Sequence, residues 1–139
     1  MSALVLFKLA DREFALDVMC VREVIRMVTL TPLPRLPEVP LEVMGAIIVR
    51  GQAVLVLDLR QRFGLPAQPP TGNSPLLLID AGNFVFAALV DQVTGVIHVN
   101  SAPGGLLKVD DRLVSRLDPQ QLPTESILSL LSKLEPASS

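Results

Sequence analysis

Apolar residues fall along this chain in short runs separated by polar or glycine- and proline-bearing steps, the layout of a strand-rich protein. Leu4–Leu9 and Phe14–Val18 flank the polar step Ala10-Asp11-Arg12-Glu13, which reads as strand, turn, strand. Leu76–Ile79 and Phe84–Val90 flank Asp80-Ala81-Gly82-Asn83 in the same way, with similar strand lengths and a phenylalanine directly after the turn. That echo predicts two related β lobes. Between them, Ala46–Val49 and Ala53–Leu57 surround Gly51-Gln52, a Gly-X pair suited to a tight type II′ hairpin. Both runs are apolar almost without alternation, so both of their faces are expected to be covered, as in a small closed barrel. Val96–Val99, Leu106–Val109 and Leu113–Leu117 supply further strands, the last two around Asp110-Asp111-Arg112.

The period changes at Val21. Val21, Val24, Ile25 and Val28 recur at helical spacing and predict a turn or two of helix on the core, with Arg22, Glu23 and Arg26 on its wet face. Residues 31–40 carry four prolines and are read as an extended crossing segment or a loop whose leucines pack over the core. Leu65–Ser74, rich in Pro, Gly and Gln, is the expected boundary between lobes, near 65–75. Near the end, Thr124 is the expected N-cap of an amphipathic helix bearing Ile127, Leu128, Leu130, Leu131 and Leu134.

Composition narrows the function classes. At 139 residues and 50% hydrophobic the chain can bury a core, and residues 1–139 are read as one domain of two apposed lobes. Twelve basic and 14 acidic residues are well mixed, so there is no electrostatic footprint for nucleic acid. A single cysteine forbids an internal disulfide, and no signal-like stretch opens the sequence, so a reducing cytoplasm is expected. Charges or prolines interrupt every apolar run before the roughly 20 residues that cross a bilayer, so membrane association is expected only through a partner.

Catalytic equipment is scarce. His98, the one histidine, sits in the strand-like Val96-Ile97-His98-Val99 and has no metal-ligand company. Cys20 follows Met19 beside an apolar run and reads as a small hydrophobe. A cysteine hydrolase built on Cys20 and His98 is the enzyme alternative, although no orienting motif accompanies the pair. Gly104-Gly105 lacks the Lys-Ser/Thr of a phosphate loop, and Asp110 and Asp111 read as turn residues. Binding is therefore expected in preference to catalysis, and no cofactor or metal is implied.

Arg50 and Asp58 stand out against the apolar central hairpin. A charge there must be paired or must face a partner. The run Gly45-x-Ile47-x-x-Arg50-Gly51-x-x-Val54-x-Val56-x-Asp58-Leu59-Arg60 resembles the central signature of the CheW family of chemotaxis coupling domains. With LVLFKLADREFALDV, VREV, TPLP, LVDQVTGV and KVDDRLVSRLD in order, the resemblance extends over nearly the whole chain. It implies an all-β fold of two small five-stranded SH3-like barrels packed side by side, with short helices that include a C-terminal one. Gly45, Gly51 and Asp58 are its structural signature residues here.

The resemblance also implies a non-catalytic adaptor that couples the cytoplasmic tips of chemoreceptors to the regulatory domain of a CheA-type histidine kinase. Carried over by position, a receptor groove between the lobes takes Val21 and Glu23, with Arg50 and Ala53 from the central hairpin, and Pro75 and Val96 at the second lobe. Glu23 and Arg50 are expected to form an ion pair on the rim of the groove. Kinase contact is expected at the exposed barrel ends, without assignment to residues. The chain departs from the family's usual Asn at Ile48 and Pro at Leu55, and its Asn100–Gly105 connection is shorter than the family's. An alternative is thus a divergent module that keeps only one partner contact.

Overall fold

In the computed structural model, described for residues 2–26, 30, 40–100, 105–125 and 127–128, ten strands form two five-stranded sheets. The strands are β1 (Ser2–Leu9), β2 (Arg12–Asp17), β3 (Val21–Arg26), β4 (Val43–Val49), β5 (Gln52–Asp58), β6 (Pro75–Asp80), β7 (Val85–Leu89), β8 (Gln92–Val99), β9 (Gly105–Val109) and β10 (Arg112–Arg116). One sheet has the order β8-β1-β2-β10-β9, the other β3-β6-β7-β5-β4. A four-residue helix α1 (Leu59–Arg62) follows β5.

Each sheet curls around an interior of its own. In the first, Leu4, Leu6, Ala15, Leu107 and Val114 meet, with Ile97, Val99 and Val109 against them, so all five strands contribute. In the second, Ile47, Val54, Val56, Leu76, Leu78, Ala87 and Leu89 meet with Ile25 against them. These are the two SH3-like barrels, here called terminal and central by the position of their strands in the chain. A third core lies between them, where Phe7, Leu9, Phe14 and Leu16 of the terminal barrel meet Leu55, Leu57, Leu77, Ile79 and Phe86 of the central one. Alternation explains the arrangement. On β4 and β5 the pair Ile47/Val54 faces the barrel interior, and the next pair, Ala46/Leu55, faces the shared core. Runs with both faces buried need no polar alternation, which is why the central hairpin reads as nearly continuous hydrophobe.

The two barrels share one layout. In each, a central hairpin (β4–β5 or β9–β10) joins a second hairpin (β6–β7 or β1–β2) through a parallel pair, β5 with β7 and β10 with β2, and a fifth strand edges the sheet. The weak sequence echo between β1–β2 and β6–β7 is thus a structural correspondence. The chain changes sheet between β2 and β3 and again between β7 and β8, not at 65–75. The Pro/Gly-rich stretch connects α1 to β6 inside the central barrel, and its composition marks a long loop, not a change of lobe.

Two other expectations are corrected. Val21–Arg26 is an edge strand, not a helix, and only Val18–Cys20 before it turns helically, as a short 3-10 segment capped by the Asp17 carboxylate. β-branched residues suit the pleated edge, and a bulge between Val21 and Glu23 disturbs the two-residue period that would have announced it. The central turn is Arg50-Gly51, not Gly51-Gln52, because Val49 pairs with Gln52. Both turn residues have positive φ, 49° and 81°, the signs of a type I′ turn. Beyond β10, Thr124 Oγ1 accepts from Ile127 N–H at 3.4 Å, as an N-cap does, and Ile127 is fully buried in the shared core. Most of the proline-rich 31–40 segment, Val28, the leucines at 130, 131 and 134, and most of the 100–105 connection lie outside the described residues.

Candidate functional site

Glu23 stands on β3 and Arg50 in the β4–β5 turn, so they belong to the two opposite edges of the central sheet. Their side chains meet in a bidentate pair, Nη1 to Oε1 at 3.0 Å and Nη2 to Oε2 at 3.2 Å. The pair closes one end of the seam that the unpaired edges leave open. Glu23 lies opposite Leu78, so it rises from the interior side of the barrel, while Arg50 is 73% exposed at its lip.

The apolar candidates occupy the other face, the one turned toward the shared core. Val21 packs directly against that core. Ala53 is exposed opposite Ile48, two pairs beyond the buried Ala46/Leu55 and so on the same face. Pro75 shares the face of Leu77 and Ile79, and was expected on the second lobe with Val96, but as the first residue of β6 it belongs to the sheet of Glu23 and Arg50. Val96 is the member from the terminal barrel. It lies on β8 opposite Val5, and Val5 alternates with the interior residues Leu4 and Leu6. The faces that meet in the shared core therefore continue past it as exposed apolar surface on both barrels.

Two residues on this margin escaped the sequence reading. Ile48 is 67% exposed beside Ala53, and Val24 is 48% exposed opposite Leu77. Large aliphatic side chains on edge strands, left in water where a polar residue would serve, are what a protein-binding margin requires. Their hydrophobicity hid them, since periodicity alone assigns a valine to the core.

The signature residues are structural. Asp58 ends β5 and caps α1, its Oδ1 accepting from Arg60 N–H at 3.0 Å. Burial pushes its carboxyl above the ordinary range, while the helix amides of Arg60 and Gln61 oppose that shift. Gly45 sits at the β4 bulge beside the Val43/Leu57 pair, and Gly51 holds the left-handed turn position. Among the described residues no hydrogen bond joins Cys20 to His98, and the charged groups that act on the thiol are Asp17, Asp118, Asp80 and Arg116. Cys20 ends the 3-10 turn and burial raises its thiol pKa, with Asp17, Asp118 and Asp80 adding to the rise, the opposite of what a nucleophilic thiolate needs. His98 is exposed on β8 of the terminal barrel. Among the described residues no His/Cys/Asp/Glu group has the makings of a metal site.

Comparison with known proteins follows the same line. The CheW-like domain matches residues 3–126. A chemotaxis protein CheW of Rhizobium meliloti is 31% identical over 97 residues, covering 70% of this chain and 61% of that protein. The chain thus spans less than two thirds of that relative in the match. A probable chemotaxis protein CheW of Rhizobium etli is 25% identical over 139 aligned positions and covers 88% of each chain. Among solved structures, the scaffolding protein TtCheW of Thermoanaerobacter tengcongensis superposes with a TM-score of 0.74 at 25% identity, over 83% of this chain and 87% of that one.

Proposed function

The chain belongs to the CheW-like domain family of non-catalytic chemotaxis scaffolds, and from that membership we propose that it couples chemoreceptor tips to a CheA-type histidine kinase. One observation carries the receptor half of this reading: the apolar margin of Val24, Ile48, Ala53, Pro75 and Val96 on the barrel faces that flank the shared core. A helical hairpin laid along that margin would cover aliphatic side chains from both barrels, as an amphipathic helix does in an apolar groove. The Glu23–Arg50 pair beside it would supply orientation and partner choice, since exposed ion pairs contribute more to specificity than to affinity. The kinase regulatory domain would take the barrel ends. No described helix is long and apolar enough to cross a membrane, and the proposed place of work is the cytoplasmic face of a receptor array.

The test is a pair of titrations of the purified chain, one with a soluble chemoreceptor hairpin fragment and one with a CheA regulatory domain. Binding to both is expected, with Ile48→Asp abolishing the first and sparing the second. Failure of the intact chain to bind either sinks the reading. The short step between β8 and β9 favours a second reading, a module that has kept one contact, and binding to a single probe would select it.

A further inference from the structure

The two arginines of α1 reach to the chain segments by which the terminal barrel is entered and left. Arg60 donates from Nε to Asp91 Oδ1 at 2.8 Å, from Nη2 to Asp91 Oδ2 at 2.5 Å and from Nη1 to the Pro66 carbonyl at 2.9 Å. Asp91 occupies the step from β7 to β8, where the chain leaves the central barrel for the terminal one. The same carboxylate accepts from the Ala10 N–H in the β1–β2 turn at 2.6 Å, and the Asp91 N–H donates to the Lys8 carbonyl at 3.0 Å. Arg62 donates from Nε to the Leu122 carbonyl at 2.7 Å and from Nη2 to that of Gln121 at 3.1 Å, holding the segment that follows β10. On either side of the arginines, Leu59 is buried in the shared core, and Phe63 stacks on Phe14 of β2 at 5.3 Å.

So short a helix has no stability of its own and must be held by what surrounds it. Here the Asp58 cap holds its start, and its end closes with Leu65 N–H on the Arg60 carbonyl and Gly64 N–H on that of Gln61, a Schellman arrangement. The arginines therefore project from a fixed base. Arg60 is only 12% exposed, so its charge-assisted, bidentate bonds to Asp91 are little screened.

We infer that α1 staples the two barrels at a set angle, and that Arg60 and Arg62 are positioning residues for partner binding. This rests on the reading of the apolar margin as the receptor surface. Val96 lies on one barrel and Val24, Ile48, Ala53 and Pro75 on the other, so the spacing between the two halves of that surface depends on how the barrels are held. Neither arginine is among the margin residues. Their effect on binding comes from presenting both halves in register before the partner arrives, which spares the complex the cost of ordering them.

The experiment places spin labels on Asn83→Cys in the central barrel and Lys108→Cys in the terminal one, in a Cys20→Ser background of the full chain, and measures the distance distribution between them. The parent is expected to give one narrow distribution. Arg60→Met is expected to broaden it and to weaken binding of the chemoreceptor hairpin fragment roughly tenfold, within the usual range of coupling between separate sites. Arg62→Gln, a milder change, is expected to move both readouts in the same direction by less, and it carries the test if Arg60→Met fails to fold. A folded variant pair with unchanged distributions overturns the staple. Broadened distributions with unchanged affinity overturn the positioning role. If the parent itself does not bind the fragment, the receptor reading falls while the distance measurement still decides the staple.

Discussion

Asp58 and Asp91 stand near each other at the junction of α1 and β8, yet their surroundings push them in opposite directions. The Arg60 guanidinium holds Asp91 below the ordinary carboxylate range, with the Ala10 amide assisting, whereas burial pushes Asp58 above it. The signs of their contributions to stability follow. Asp91 stabilises the fold when ionised, and that contribution is present above the unfolded value of about 4 and is lost as pH falls through the depressed folded value. Ionising the buried Asp58 opposes folding, so its contribution declines as pH rises from about 4 through its raised value. Urea melts between about pH 3 and pH 7 should therefore show the stability gap between parent and Asp91→Asn closing on acidification. Asp58→Asn, which keeps an acceptor for the cap, should gain on the parent as pH rises. Gaps independent of pH would remove both assignments. Little of this was legible in the sequence, because Arg60 and Asp91 are 31 positions apart and each alone resembles a solvated charge. Asp58 drew notice as a charge against an apolar hairpin and as a signature residue, but neither showed that it caps α1 or that burial raises its carboxyl.

At the scale of the element, the central hairpin carries a cost that its stability does not explain. Arg50 has a φ of 49°, a left-handed conformation that costs a residue with a Cβ about 1–2 kcal/mol. Its pair with Glu23 is exposed enough that it returns only about 0–1 kcal/mol. Arg50→Gly should thus leave denaturant stability within about 1 kcal/mol of the parent, the relief at φ offsetting the lost pair and the more flexible unfolded chain. Affinity for a chemoreceptor hairpin should fall all the same. A variant destabilised by several kcal/mol would make the arginine a structural residue instead. The hairpin itself was readable because its strands are continuous hydrophobe around a glycine, but its turn shifted by one residue because arginine is a poor advertisement for positive φ. β3 was misread for a related reason. Val24, exposed on an edge strand where the two-residue pattern calls for a polar residue, completed a false helical period with Val21 and Ile25. Apolar residues left exposed on an edge strand corrupt the very pattern by which secondary structure is recognised.

For the whole molecule the decisive feature is the order in which the chain visits the barrels. The central barrel uses its strands in the order β3, β4, β5, β6, β7, and their counterparts in the terminal barrel are β8, β9, β10, β1, β2. One barrel is therefore a circular permutation of the other, inserted between β2 and β8, and the 65–74 loop makes the join that the terminal barrel lacks. Two β lobes could be foreseen from the repeated hairpin, but nesting could not, because it is fixed by the long-range parallel pairs of β2 with β10 and β5 with β7, which leave no local mark. Nesting has a thermodynamic consequence. The terminal barrel closes only when both ends of the inserted barrel are brought together, and the shared core takes Phe7 and Phe14 from one barrel, Leu55 and Phe86 from the other, and Leu122 and Ile127 from the segment after β10. Neither barrel keeps a complete core without its neighbour, so the two should unfold in one cooperative transition. Truncating Leu122 to Ala, in the shared core, should cost about 2–5 kcal/mol and destabilise both barrels equally. Hydrogen exchange would read this directly, with the slowest amides of β1 and β6 losing protection by the same amount. Loss of protection in β1 with β6 unaffected would mean that the barrels are independent folding units joined only by contact.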